Sequence, residues 1–403
     1  MTIIMHKLIK NYLPIIILIV WLFPVSNQLN TLNNNLLRYC YLLNFIILIV
    51  VFLFERYIYK RQLIIAGLIL TILTISTILF YVLNKDEAYI AYGYLMNYLP
   101  FCVLINIKIS ILSKNNTLDI LFIVICILLI IVGILTLLNN VYLEQLLKKF
   151  YVIHYPHIYS VMWEKHKTVT FFGTHSISCY IYFIIWWLLD YRMTIKKSIL
   201  NYIFIVGILL NIIMCTSVSA ILCVGIIVSY YYIKWIKTPQ KYNILKGLIG
   251  ILIALTLVFI SKDIIIQILG SDKNGILGRF GSTGNLNYTL LYAITQIIPF
   301  GFCDLNELWL TDGGYYVHFI RGGFFLVFLF YFGLYRYMKI NIRDIKRCNF
   351  LFLSLLLFEV GYQFTISLRF FMIMLFAVIY FNYLYNEKTK KIKICGMAGI
   401  SDI

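Results

Sequence analysis

Residues 120–138 read ILFIVICILLIIVGILTLL. As an α-helix this uncharged run rises about 28 Å at about 1.5 Å per residue, the thickness of a bilayer's hydrocarbon core. It does not alternate in polarity as a lipid-spanning strand must, so a helix is the expected element. Working outward, comparable runs recur near 12–29, 36–54, 63–83, 89–112, 176–191, 199–215, 218–234, 247–261, 323–338, 348–366 and 368–385, about twelve spans in all. Over its 403 residues the chain is 62% hydrophobic and 12% charged, with a mean hydropathy of +0.90. These values lie outside the range of soluble globular domains. The expectation is an all-α, polytopic integral membrane protein, a single membrane domain over 1–403.

The net charge of +18 does not point to nucleic acid, because the cations sit in short clusters between apolar runs. Arg56, Lys60 and Arg61 form one cluster; Arg192, Lys196 and Lys197 a second; Lys234, Lys237, Lys241 and Lys246 a third. Arg336, Lys339, Arg343, Lys346 and Arg347 form a fourth, and Lys388, Lys390, Lys391 and Lys393 a fifth. With an even number of single crossings, all five share the side of Lys7 and Lys10, which the positive-inside rule makes cytoplasmic, with both termini. No small-residue cleavage site follows the first run, so it reads as a retained span. The nine cysteines form no CxxC pair, and neither a disulfide framework nor a zinc site is expected. Trp163, Trp186, Trp187, Trp235 and Trp309, at span ends, read as interfacial anchors.

The opposite side receives two long segments, about 139–175 and 262–322, and loops of that length are commonly functional. Residues 261–323 read SKDIIIQILGSDKNGILGRFGSTGNLNYTLLYAITQIIPFGFCDLNELWLTDGGYYVHFIRGG. They gather Arg279, Asp304, Glu307, Asp312, His318 and Arg321 in one polar interval. Five of the six histidines, His154, His157, His166, His175 and His318, fall in these two outer loops.

Positive-inside bias works against outer cations, so those present need a reason. One is an anionic, lipid-linked substrate whose diphosphate accepts paired hydrogen bonds from arginine; the other is plain solvation, which suits Lys148, Lys149, Lys165 and Lys167. Arg279 and Arg321 each adjoin glycine, in Gly278-Arg279-Phe280-Gly281 and Arg321-Gly322-Gly323, where the backbone can wrap closely on a head group. Asp312 can deprotonate a sugar hydroxyl, or it can simply start the turn of Thr-Asp-Gly-Gly. His318 and His175 are alternative bases. No GxSxG, GxxxxGK[ST] or HExxH motif occurs. A diphosphate leaving without a metal would have its charge stabilised by the arginines. Lys108, Glu359 and Arg369 are the few ionisable candidates at membrane depth, and Glu359 and Arg369 can pair between the last two spans.

Three stretches resemble the O-antigen polymerase (Wzy) family of oligosaccharide repeat-unit polymerases, and more distantly the O-antigen ligases. They are His166-Lys167-Thr168-Val169-Thr170-Phe171-Phe172-Gly173-Thr174-His175-Ser176; Arg279-Phe280-Gly281-Ser282 with Pro299-Phe300-Gly301-Phe302; and Thr311-Asp312-Gly313-Gly314-Tyr315 with Arg321-Gly322-Gly323-Phe324. Lys167 stands where that family carries arginine, and His175-Ser176 replaces its Pro-Asn.

The resemblance implies a metal-independent membrane glycosyltransferase without a cofactor, at the outer face of the bacterial cytoplasmic (inner) membrane. It would polymerise undecaprenyl-diphosphate-linked oligosaccharides into a surface polysaccharide such as O-antigen, capsule or exopolysaccharide, and a chain-length regulator is the protein partner the family admits. Arg279, Arg321 and Lys167 would bind the diphosphate, and Asp312, His318 or His175 would orient or deprotonate the acceptor. The competing classes are a flippase of the same lipid-linked units, which should keep ionisable groups inside its spans, and a ligase.

Overall fold

A computed structural model of the chain describes residues 3–22, 35–55, 59–83, 88–150, 175–215, 218–236, 313–360, 365 and 368–398. The fold among these residues is entirely helical. In chain order the helices are α1 (Ile3–Leu22), α2 (Asn35–Glu55), α3 (Lys60–Leu83), α4 (Ala88–Leu104), α5 (Thr117–Leu137) and α6 (Val141–Phe150). They continue with α7 (His175–Ile195), α8 (Ile199–Met214), α9 (Val218–Ile236), α10 (Gly314–Asn341), α11 (Ile345–Glu359) and α12 (Leu368–Ala398). Five stretches, Lys60–Val82, Thr117–Leu137, Ser219–Ile236, Gly314–Asn341 and Leu368–Lys391, are long and apolar enough to cross a membrane. Tyr41–Glu55, Leu95–Leu104 and Ile199–Met214 are shorter apolar helices. The chain is a helical membrane protein, and the expected first outer loop begins with a helix, α6.

Two helices form the interior. In α12, 94% of the apolar window is buried inside the protein, and α7 is buried along nearly its whole length from Ile177 to Arg192. A helix apolar on all sides is stable only when surrounded, and both are: α7 packs on α8, α9 and α12, and α12 on α1, α2, α4, α5 and α7. This burial corrects the reading of Trp186 and Trp187 as interfacial anchors. Trp186 is fully buried, edge-on to Tyr230 and Tyr231 of α9, and Trp187 stacks on Phe381 at 5.0 Å. Outward faces of α3, α5 and α8 instead expose Leu63, Ile64, Leu68, Ile120, Ile127, Ile203 and Leu210, the composition of a surface solvated by lipid. Cys102, Cys126, Cys179, Cys215, Cys223 and Cys348 are buried and in no disulfide.

The charged clusters meet at one end of the bundle. Asp119, in the first turn of α5, accepts two parallel bonds of 3.0 Å from Arg192 at the end of α7, with further contacts of 3.0 Å from Lys196 and the Tyr380 hydroxyl. Arg192 also donates to Asn201 of α8. Asp190 collects Arg347 of α11 at 2.8 Å, Tyr230 of α9 at 2.9 Å and Lys234 of α9 at 3.4 Å. Lys391 of α12 caps the α7 carbonyl of Ile195 at 2.8 Å. Thus three basic clusters, contributed by α7, α9 and α11, converge on two carboxylates, and a fourth, on α12, reaches a backbone carbonyl of α7.

At the same end the expected 89–112 span stops early. α4 closes at Leu104, and residues 105–116 run irregularly apart from a single 3₁₀ turn, Leu112–Lys114. The physical reason is a substitute set of partners for the backbone. Glu55, buried at the end of α2, accepts from the amides of Ser110, Ile111 and Leu112 at 2.8, 3.0 and 2.8 Å. Asn341, at the end of α10, accepts from Ile109 N–H at 2.7 Å and donates to the Ile107 carbonyl at 3.0 Å.

Removing a buried carboxylate strands its cations, a loss of about 3–5 kcal/mol when the pair is fully enclosed. Asp190→Ala should therefore lower the unfolding temperature of the detergent-solubilised protein by several degrees. Lys234 is 52% exposed, so Lys234→Ala should shift it little, as surface pairs contribute about 0–1 kcal/mol. Equal shifts from the two variants would remove Asp190 as the hub of this end.

Candidate functional site

α10 is two antiparallel arms. Gly323 has φ 66° and ψ −167°, a conformation open essentially to glycine alone, and it follows Gly322 in extended backbone at φ −160°. The reversal is measured by ring contacts. Tyr315 and Tyr331 have centroids 5.0 Å apart, whereas sixteen positions along a straight helix would separate them by about 24 Å. His318 likewise lies 4.0 Å from the ring of Phe330. Residues 314–321 are thus a short helical arm folded back on the long arm, which runs from 324 to 341. This corrects the expected outer loop 262–322: its last residues are a helix inside the bundle, and the expected span from 323 coincides with the long arm. With a rise of about 1.5 Å per residue, Tyr331 lies about 12 Å along the long arm from the turn, and the tip of the short arm reaches the same depth.

The short arm docks on the junction of α11 and α12. Gly314 lies so close to Glu359 that an added Cβ would stand 1.3 Å from its Oε2. Tyr315 donates its hydroxyl to the Leu356 carbonyl at 2.5 Å. Glu359, the last residue of α11 and fully buried, accepts from the Tyr331 hydroxyl at 3.0 Å and from the Thr365 amide at 2.9 Å. The Thr365 hydroxyl in turn contacts Nε2 of His318 at 3.2 Å, while Nδ1 of the same ring contacts the Tyr98 hydroxyl of α4 at 2.6 Å. The Arg321 guanidinium stands 5.8 Å over the Tyr98 ring, within cation–π range.

This is a connected polar cluster enclosed by apolar and aromatic side chains. His318, Glu359 and Thr365 have no exposed surface, and Tyr98, Arg321 and Arg369 keep 5% or less. Such groups are costly at membrane depth and are retained where they pair or act. Chemically the cluster offers one imidazole bonded at both nitrogens, one carboxylate with an oriented oxygen pair, and a guanidinium beside a phenol. Among the described residues no group of three or more His, Cys, Asp or Glu side chains is arranged to hold a metal ion.

Of the residues singled out from sequence, the structure brings His318 and Arg321 together in the short arm, buried instead of looped over the surface. His175 is the first residue of α7. Lys167, Arg279 and Asp312 lie outside the described residues, Asp312 directly before Gly313 where the arm begins. Tyr98 and Thr365 gave no sequence signal, and Glu359 was weighed only as a partner for Arg369. Its one readable mark was a lone acid in an apolar run. No family model, curated protein or solved structure matches the chain.

The arm's seat depends on two glycines for different reasons. Gly323→Ala should cost about 1–3 kcal/mol through backbone strain, and Gly314→Ala should displace the Glu359 carboxylate without straining the turn. Cysteine accessibility at position 318, read in a His318→Cys background with a membrane-impermeant thiol reagent, should rise in both double variants. Unchanged protection with Gly314→Ala would contradict the close packing of arm and carboxylate.

Proposed function

We propose that this chain is a membrane glycosyltransferase that polymerises undecaprenyl-diphosphate-linked oligosaccharides into a bacterial surface polysaccharide at the outer face of the cytoplasmic membrane. In this reading the chain crosses the bilayer about twelve times with both termini cytoplasmic. The observation that carries it is the pairing, in one buried arm, of His318 held at both nitrogens and Arg321 three residues on. That arm follows directly on the polar interval with Arg279 and Asp312. A base and a cation at adjacent positions are what transfer from a diphosphate requires. Sidedness is supported by the convergence of three basic clusters on Asp119 and Asp190 at one end. The turn at Gly323 lies toward the other end, about 27 Å from Asn341 by helical rise.

The step balances simply. The acceptor hydroxyl oxygen bonds to the anomeric carbon of the growing chain as the bond from that carbon to the diphosphate oxygen breaks. The diphosphate leaves with the electron pair, and the hydroxyl proton passes to Nδ1 of His318, at the position the Tyr98 hydroxyl now fills. Arg321, with Arg279 and Lys167 as further cations, neutralises the leaving group. Asp312 and His175 are the alternative bases.

A second reading has its own observation. Burial of His318, Arg321 and Glu359 in one cluster is also what a transporter of lipid-linked oligosaccharide would keep in its interior. One experiment separates the two: purified protein in proteoliposomes, given synthetic undecaprenyl-diphosphate oligosaccharide, with and without chelator. A ladder of lengthening products, unaffected by chelator, is the expected result. Arg321→Ala should reduce it about 100-fold or more, and Arg321→Lys should recover only part, because lysine lacks the planar fork. Movement of the lipid-linked unit across the bilayer without any ladder would replace the polymerase reading with the transporter one.

A further inference from the structure

We propose that Glu359 and Thr365 are positioning residues that fix the orientation and tautomer of His318, so that its Nδ1 is the nitrogen that takes up the proton. The inference deepens the polymerase reading above and rests on its use of His318 as base.

The geometry runs as a chain of three links. α11 ends at Glu359 and α12 begins at Leu368, and Thr365 lies in the break between them. Glu359 Oε1 accepts from the Thr365 amide at 2.9 Å. The second carboxylate oxygen is held by the Tyr331 hydroxyl at 3.0 Å, so the carboxylate cannot rotate without losing a contact to the long arm of α10. With its backbone held, Thr365 presents Oγ1 to Nε2 of His318.

The tautomer follows from the two partners. A phenol is a stronger hydrogen-bond donor than an aliphatic hydroxyl, and the Tyr98 contact is the shorter, 2.6 Å against 3.2 Å. Tyr98 therefore donates to Nδ1, and Nε2 carries the hydrogen that Thr365 accepts. An imidazole whose far N–H is held by an oriented oxygen keeps its other lone pair aimed at the proton it must accept, the arrangement in which a base is oriented by a third group. When Nδ1 is protonated, the Thr365 oxygen keeps its bond to Nε2–H, so that side of the ring is unchanged while the Tyr98 hydroxyl gives up its donation to Nδ1.

Thr365 has no exposed surface, which gives a test that packing alone cannot mimic. Thr365→Val keeps the shape and the amide bonded to Glu359 but removes the hydroxyl. Thr365→Ser keeps the hydroxyl but removes a buried methyl. If Thr365 only fills space, serine is the worse variant; if it orients His318, valine is. We expect Thr365→Val to lower kcat for ladder formation by about tenfold or more, within the range a positioned base contributes, with KM little changed. Thr365→Ser should retain most of the wild-type kcat although its unfolding temperature falls further. Glu359→Gln, which preserves an oxygen for the Thr365 amide, should lose less than Glu359→Ala.

A wild-type protein that makes no ladder would overturn the polymerase reading and this inference with it. A wild-type ladder with serine impaired more than valine, or with both variants at wild-type rate, would overturn the assignment of Thr365 and Glu359 alone.

Discussion

Backbone amides and carbonyls inside a bilayer cannot be left to water, and this constraint organises the described structure. At two places where described helices stop, after α4 and after α11, a polar side chain from elsewhere takes over hydrogen bonds of the backbone. After α4 the substitute is Glu55, bonded to three successive amides, joined by Asn341 on both a donor and an acceptor. After α11 it is Glu359, bonded to the Thr365 amide. Irregular backbone at membrane depth is tolerable only when buried in protein in this way. The acids that look misplaced in apolar runs are what allow the runs to break.

The two breaks differ in consequence. Around 105–116 the borrowed partners close off the basic end, next to the paired carboxylates Asp119 and Asp190. At the junction of α11 and α12 the short arm of α10 docks, with Gly314 against Glu359 and Tyr315 bonded to the Leu356 carbonyl. The same carboxylate that satisfies the break also touches the arm at Gly314 and the long arm at Tyr331. Support for the backbone and placement of His318 and Arg321 are therefore one set of contacts, and the residues proposed to act are held by those that stabilise the fold.

Much of the helical content was legible in the sequence, because apolar runs such as 120–138 admit one reading in a membrane and α5 lies where that run predicts. The grouping of Arg192, Lys234 and Arg347 at one end was legible too, since cations between apolar runs collect where they reach water. The short arm was not. Gly313-Gly314-Tyr315-Tyr316-Val317-His318-Phe319-Ile320-Arg321 is too short and too polar for a span, and Gly322-Gly323 marks a turn without giving its angle. Nothing local distinguishes a helix folded back into the interior from a loop over the surface. Tyr98 was invisible for a related reason: its partner His318 lies 220 positions away, and a single chain read in order carries no sign of so distant a pairing. Trp186 and Trp187 misled because tryptophan near a charge usually sits at the head groups, whereas α7 is enclosed on every side.

The enclosure of α12 also bears on how the protein is made. It follows the other eleven described helices in the chain, yet α1, α2, α4, α5 and α7 pack against it. During synthesis those earlier helices emerge with their inward faces, including the aromatic wall of α7, lacking the surface they finally meet. Pairs such as α3 with α4 and α7 with α8 can already pack, but the faces that meet α12 have only lipid or the insertion machinery against them until it arrives. A chain cut before residue 368 would leave the inward faces of α1, α2, α4, α5 and α7 without the helix they close on.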